Sequence, residues 1–220
     1  MTSPVAWVSA LVLAASTAGV LGGTNGFVVP AFRCQPSSTF TGWESFKVGV
    51  GDPGNAGDLA GSSDNARLFQ LAPGALVLGS GNIYNGGEAS RFEIRYSGTE
   101  PIADVVFQAR ALGTEFKYDD VRLYAWTQAL PATRVELDRV SFGGPPGTPG
   151  SGYAVSSEWS WNLTGLDASS FAISFNAAEI NLSLDSATLD VRAVPEPGPL
   201  ALGALGALGL MALGARRRRS

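Results

Sequence analysis

Arg91-Phe92-Glu93-Ile94-Arg95-Tyr96 places a large apolar side chain at every second position, with a charge before each one. In an extended chain this period of two puts Phe92, Ile94 and Tyr96 on one face and Arg91, Glu93 and Arg95 on the other. A helix, at 3.6 residues per turn, would scatter the same residues around its circumference. The stretch therefore reads as a strand with one buried face. The same alternation recurs downstream, in Arg134-Val135-Glu136-Leu137-Asp138, in Glu158-Trp159-Ser160-Trp161-Asn162-Leu163 and in Phe171-Ala172-Ile173-Ser174-Phe175. Ile180, Leu182 and Leu184, then Leu189 and Val191, complete it. Further strands are expected over residues 45–50, 66–71, 75–78, 104–111 and 121–126, and a short helical turn fits near Asp119.

On the order of ten short strands separated by turn signals form an all-β pattern, an antiparallel β-sandwich of jelly-roll-like kind. The turns are explicit: Asp52-Pro53-Gly54, Pro73-Gly74, Asn85-Gly86-Gly87 and Ser97-Gly98. The composition agrees, since 28 Gly and 13 Pro make up about a fifth of the 220 residues, against roughly 12% in ordinary chains. Residues 143–152, Gly- and Pro-rich, read as a loop inside one domain. Too few strands lie on either side of it to close two cores.

Composition also removes whole classes of chemistry. There is no His, so the commonest general base and the commonest zinc ligand are missing. A single Cys, Cys34, excludes an intrachain disulfide, a Cys-rich zinc site and a Cys-ligated iron–sulfur cluster. Charged residues are only 15%, and residues 19–194 carry 11 Lys/Arg against 18 Asp/Glu, a net of −7. An acidic body of this kind does not present the broad basic face that nucleic acid needs. No nucleophile elbow and no phosphate loop occurs. The body is expected to be non-enzymatic.

Two local clusters are candidates for ligand contact. Glu158 beside Trp159 and Trp161 joins a carboxylate to two ring faces, as a glycan site would; the competing reading puts both tryptophans in the core, because they share one strand face. Asp52, Asp58 and Asp64 with Asn55 and Asn65 make an oxygen-rich loop in which a structural calcium is a candidate, although the spacing is not that of an EF-hand. Asx-rich turns give the same composition without metal. No other cofactor or metal is expected. Cys34 follows no lipobox, because Arg33 precedes it, and reads as a buried or stray thiol.

The two ends carry the most specific signals. From Val5 to Leu21 the chain is apolar or small, and Ser16-Thr17-Ala18 has the small-x-small form of a signal-peptidase site. Residues 1–18 therefore read as a signal peptide, although Met1 to Pro4 lacks the usual basic start; a buried N-terminal helix is the alternative. At the other end stand Val194, Pro195, Glu196 and Pro197, an uncharged Leu/Ala/Gly run over residues 200–215, and Arg216, Arg217, Arg218 and Arg219. The prolines forbid helix and sheet pairing, which makes an extended spacer. About 16 apolar residues form a short hydrophobic span. The arginine cluster is retained on the cytoplasmic side and leaves the acidic domain outside.

This tail, residues 194–220, resembles the PEP-CTERM protein-sorting signal: a Pro-Glu-Pro triplet, a short hydrophobic helix and a terminal Arg cluster in that order. The resemblance implies an N-terminal signal peptide, export across an inner membrane and recognition of the tail by an exosortase, an integral-membrane cysteine transpeptidase. It implies cleavage near Pro195-Glu196-Pro197 and delivery of residues 19–193 to the envelope or to extracellular polysaccharide. The implied host is an exopolysaccharide-producing Gram-negative bacterium. A plain C-terminal membrane anchor, holding a periplasmic domain, is the alternative reading of the tail. For the body, the alternatives to a structural role are a carbohydrate-binding module acting on exopolysaccharide and a hydrolase with a carboxylate pair.

Overall fold

A computed structural model of the chain describes residues 26–144 and 150–194. It is all-β and antiparallel, with two sheets facing each other as a sandwich. One sheet has seven strands. Five follow one another in the order β10 (Thr133–Phe142), β11 (Gly152–Asn162), β7 (Ile102–Gly113), β13 (Leu182–Ala193) and β5 (Ile83–Asn85), with the short β4 (Leu76–Val77) at the far edge. The seventh, β1 (Ser38–Trp43), pairs the C-terminal half of β13, from Ser38 opposite Arg192 to Trp43 opposite Ala187. The other sheet has six strands: β2 (Asn55–Ala56), β3 (Ala66–Gln70), β6 (Arg91–Ser97), β12 (Ser170–Asn176), β8 (Arg122–Ala125) and β9 (Gln128–Pro131), in that spatial order.

The alternation in sequence is the alternation in burial. Phe92, Ile94 and Tyr96 are buried, while Arg91 and Arg95 are exposed. β12 faces β6 so that Phe175 lies opposite Phe92 and Phe171 opposite Tyr96. Each pair stacks, with ring centroids 5.0 and 4.9 Å apart. In the seven-stranded sheet, Phe107 and Trp159 stand opposite each other and stack at 5.3 Å. Phe107 then meets Phe175 of the other sheet at 4.8 Å, and Phe116 closes on both Trp159 and Phe175 at 5.8 and 5.6 Å. This aromatic column ties the sheets together. Each such ring contact adds about 0.5–1.5 kcal/mol beyond the area it buries.

β10 and β11 form one hairpin, so the loop over residues 143–151 joins two paired strands. The turn expected near Asp119 is a 3-10 turn, Tyr118–Asp120. Residues 45–50 are not a strand, contrary to expectation. Their amides are taken by side chains instead: Asn55 Oδ1 accepts from the Lys47 and Val48 N–H groups, and Asp58 accepts from Glu44 and Ser45. Side chains that offer the backbone such partners compete with ladder formation. β1, β2, β5 and β9 lie outside the strands the alternation predicts; β1 (Ser-Thr-Phe-Thr-Gly-Trp) hides its register behind small and hydroxyl residues.

Candidate functional site

The sequence places a carboxylate and two tryptophans in one cluster; the fold separates them. Trp159 and Trp161 face the core, Trp159 with no exposure and Trp161 with 6%. Trp161 Nε1 donates to the Leu130 carbonyl at 3.2 Å, and Trp159 is held by Phe107 and Phe116. Neither ring has a face free to stack on a sugar, so the candidate glycan contact through Glu158, Trp159 and Trp161 is corrected to its core alternative. The reason is the period of two: consecutive residues of β11 point to opposite sides of the sheet.

Glu158 points the other way, onto the outer face of the seven-stranded sheet, between Gln108 of β7 and Val135 of β10. That face is covered by the chain's own segment 26–37. Gln108 is wholly buried and clasps Val28 with both ends of its amide: Oε1 accepts from the Val28 N–H at 2.8 Å and Nε2 donates to the Val28 carbonyl at 2.6 Å. Arg33 forms a two-pronged ion pair with Asp190, Nε to Oδ1 at 2.5 Å and Nη2 to Oδ2 at 2.6 Å. The Asp190 side chain has no exposure at all. Burial pushes its carboxyl above the usual aspartate range, and Arg33 only partly offsets this. Burial also raises Glu158, with repulsion from Asp190 adding to it. Over β7 and β13 this face is a buried polar layer roofed by a strap, while Val135 of β10, beside Glu158, is exposed.

Where the chain crosses from β9 to β10, a cavity of about 630 Å³ opens at the side of the sandwich. Lys117, Tyr118, Arg122 and Arg134 line it, with the buried Trp159 at its back. Arg134 lies over the Tyr118 ring, 3.4 Å from its centroid. The Tyr118 hydroxyl donates to Glu115 at 2.5 Å, and Arg139 bridges Glu115 and Glu136. The Arg139 hydrogen bonds hold both glutamates below the usual carboxylate range. Burial, then the bond to Glu115, pushes the Tyr118 hydroxyl up to about 12. Acids lowered and a phenol raised is the signature of an ion-pair network. A proton-transfer pair is tuned toward neutrality instead.

In the oxygen-rich loop, Asn55 and Asp58 spend their side-chain oxygens on main-chain amides, as described above. Among the described residues no group of three or more carboxylate or thiol side chains gathers around a common point. Cys34 is an exposed free thiol, so of the two readings, buried or stray, the buried one does not hold.

Val194 is the last described residue of the tail. Its N–H donates to the Pro101 carbonyl at 2.7 Å, directly beyond the end of β13. Pro195, Glu196, Pro197, residues 200–215, Arg216, Arg217, Arg218 and Arg219 lie outside the described residues, as do residues 1–18. Among the described residues no helix is long and apolar enough to cross a membrane. Comparison with protein-family models, with curated proteins and with solved structures finds no match for this chain.

Proposed function

We propose that the chain is an exported cell-surface or extracellular-matrix protein of the PEP-CTERM kind, with a structural, non-enzymatic body. Residues 1–18 direct export, the span over 200–215 holds the protein in the inner membrane, and Arg216–Arg219 fix its orientation. An exosortase then acts near Pro195-Glu196-Pro197 and sends the body to the envelope or beyond. The observation that carries this reading is the ordered tail: triplet, apolar run and arginine cluster in register.

The position of the triplet supports it. The last ladder residue is Ala193, and the Pro-rich spacer begins two residues later, so a cut at the triplet leaves every strand intact. A non-enzymatic body is in keeping with the absence of His and with the titration pattern around Tyr118. We also read the sandwich as jelly-roll-like, because successive strands repeatedly switch sheets. Binding of exopolysaccharide by the body remains the second reading, and it requires a surface other than Trp159 and Trp161.

The test replaces Pro195-Glu196-Pro197 by three alanines in the native host. The expected result is full-length protein accumulating in the inner membrane and no released body. Unchanged release would contradict the proposal. Replacing Arg216–Arg219 by four glutamines should also abolish processing; if the triplet is dispensable while the arginines are not, the tail is a plain anchor.

A further inference from the structure

Two tryptophans share the inward face of β11, and only one has its N–H satisfied. Trp161 Nε1 donates to the Leu130 carbonyl at 3.2 Å. Trp159 is wholly buried, and its Nε1–H meets no acceptor among the described residues. Its neighbours are the rings of Phe107, Phe116 and Tyr118. Directly opposite it in the ladder stands Arg134 of β10, so the two side chains lie side by side on one face of the sheet. Arg134 repeats the deficit. Its Nη2 donates to Glu136 at 3.2 Å and to Ser157 at 3.1 Å, but its Nε–H is buried without an acceptor. A buried donor left unpaired costs free energy, and native proteins leave few of them.

Both side chains line the cavity of about 630 Å³ at the side of the sandwich. β10 is the edge strand of its sheet, and the rest of the lining comes from residues 117–122 and 131–132. Val121, Pro131 and Ala132 give the wall an apolar stretch. The charges around the cavity balance: Lys117, Arg122, Arg134 and Arg139 stand against Glu115, Asp119, Asp120 and Glu136. Three of those acids are already met, Glu115 and Glu136 by Arg139 and Asp120 by Lys117, and Asp119 is exposed. Arg122 meets no carboxylate among the described residues; its guanidinium donates to the Val121 carbonyl at 2.9 Å. The surplus is therefore of donors. A cavity of this size, with an apolar wall and a few placed polar groups, has the form of a small-molecule site.

We infer that this cavity binds a small organic carboxylate, whose oxygens accept from Trp159 Nε1 and Arg134 Nε while its apolar body lies against Pro131 and Ala132. Two single donors on neighbouring side chains suit the two oxygens of a carboxylate, and the bond from a guanidinium to a charged oxygen is the stronger kind. A phosphate dianion would bring a second charge and a further oxygen that the balanced surroundings do not answer. Both donor atoms are shielded from solvent, so the ligand enters as the Arg134 side chain, 29% exposed, swings off the Tyr118 ring. The competing occupant is water alone on the two donors.

The inference is independent of the proposed sorting, because its test reads binding and not cleavage of the tail. Full-length protein in detergent micelles is titrated with benzoate, hexanoate, benzamide and inorganic phosphate, with empty micelles as the blank. Calorimetry gives the affinities, and the indole N–H resonances by NMR give the place. The Trp159 resonance is the one lost in Trp159→Phe. Benzoate or hexanoate should bind and shift that resonance, and benzamide, which keeps the shape without the charge, should bind about tenfold more weakly than benzoate. Arg134→Gln and Trp159→Phe should each weaken carboxylate binding about tenfold. Lys47→Gln, in the loop before β2, should leave it unchanged. Should Trp159→Phe fail to fold, Arg134→Gln still decides. No binding of either carboxylate would leave the donors to water and overturn the inference. So would tighter binding of benzamide or phosphate, equal binding by Arg134→Gln, or a Trp159 resonance that stays in place while a carboxylate binds.

Discussion

The two outer faces of the sandwich solve opposite problems with similar residues. On the seven-stranded sheet, Gln108 and Asp190 are buried, and segment 26–37 answers them with Val28 and Arg33. On the six-stranded sheet, Arg67 and Arg91 are exposed and meet no carboxylate, Arg122 turns its guanidinium to the Val121 carbonyl, and Tyr124 is left in solvent. A buried polar group must be met from within the protein or it costs free energy. An exposed one is free to be met by something else. The difference is that the strapped face meets Gln108 and Asp190 from within the protein, and the bare face leaves its polar groups to solvent.

The strongest way to break this comparison is to damage what both faces share. Trp159→Ala removes the ring that Phe107 and Phe116 pack against, and it should cost about 3–5 kcal/mol in chemical denaturation. Both sheets should unfold in one transition, whichever face is monitored; two separated transitions would mean that the sheets are not one cooperative unit. Arg33→Ala acts on the strapped face alone. It leaves Asp190 buried without its cation and should cost about 2–4 kcal/mol at neutral pH. The loss should shrink in acid, where the Asp190 carboxyl takes up a proton. Hydrogen exchange should then show residues 26–37 released while β6 and β12 stay protected.

A smaller effect separates the faces by pH. Burial raises the Glu158 carboxyl in the folded state, so the native protein binds its proton more tightly than the unfolded chain does. Stability from this group is fully present below the unfolded carboxylate value near 4.5 and is lost as pH rises through the higher folded value. Glu158→Gln should therefore stabilise the protein at neutral pH and flatten its stability profile above about pH 4.5. Glu115 and Glu136 are lowered and act in the opposite sense, losing stability as pH falls below that value. A steeper profile in Glu158→Gln would contradict the assignment. The smallest effect belongs to the bare face, where Tyr124→Ser and Arg67→Gln should each change stability by no more than about 0.5 kcal/mol. A larger loss there would mean that these residues serve the fold.

Period-two alternation made the sandwich legible in the sequence at β6, β11 and β12, where a large apolar residue marks every inward position. It failed at β1, where Thr and Gly occupy positions that a pattern of large residues would reveal, and over residues 45–50. There, apolar content suggested a strand, but Asn55 and Asp58 captured the amides from a distance in sequence that no local pattern encodes. The same alternation argued that Trp159 and Trp161 share a face, but not that Glu158 and Asp190 would meet on the far side under Arg33. The bare face was hidden for a related reason. Arg67, Arg91 and Arg122 lie on β3, β6 and β8, no two of which are consecutive in the chain, and only the register brings the three strands into one sheet. Each looked like the solvent side of its own strand.

The proposed sorting rests on the tail, and the tail leaves the fold from β13, a strand paired on both sides. The most direct measurement is the intact mass of the protein recovered from inner-membrane and extracellular fractions of its host. The account predicts a species outside the inner membrane that begins near residue 19 and ends at Pro195-Glu196-Pro197. A species that keeps Leu200 through Ser220 and stays in the inner membrane would contradict it.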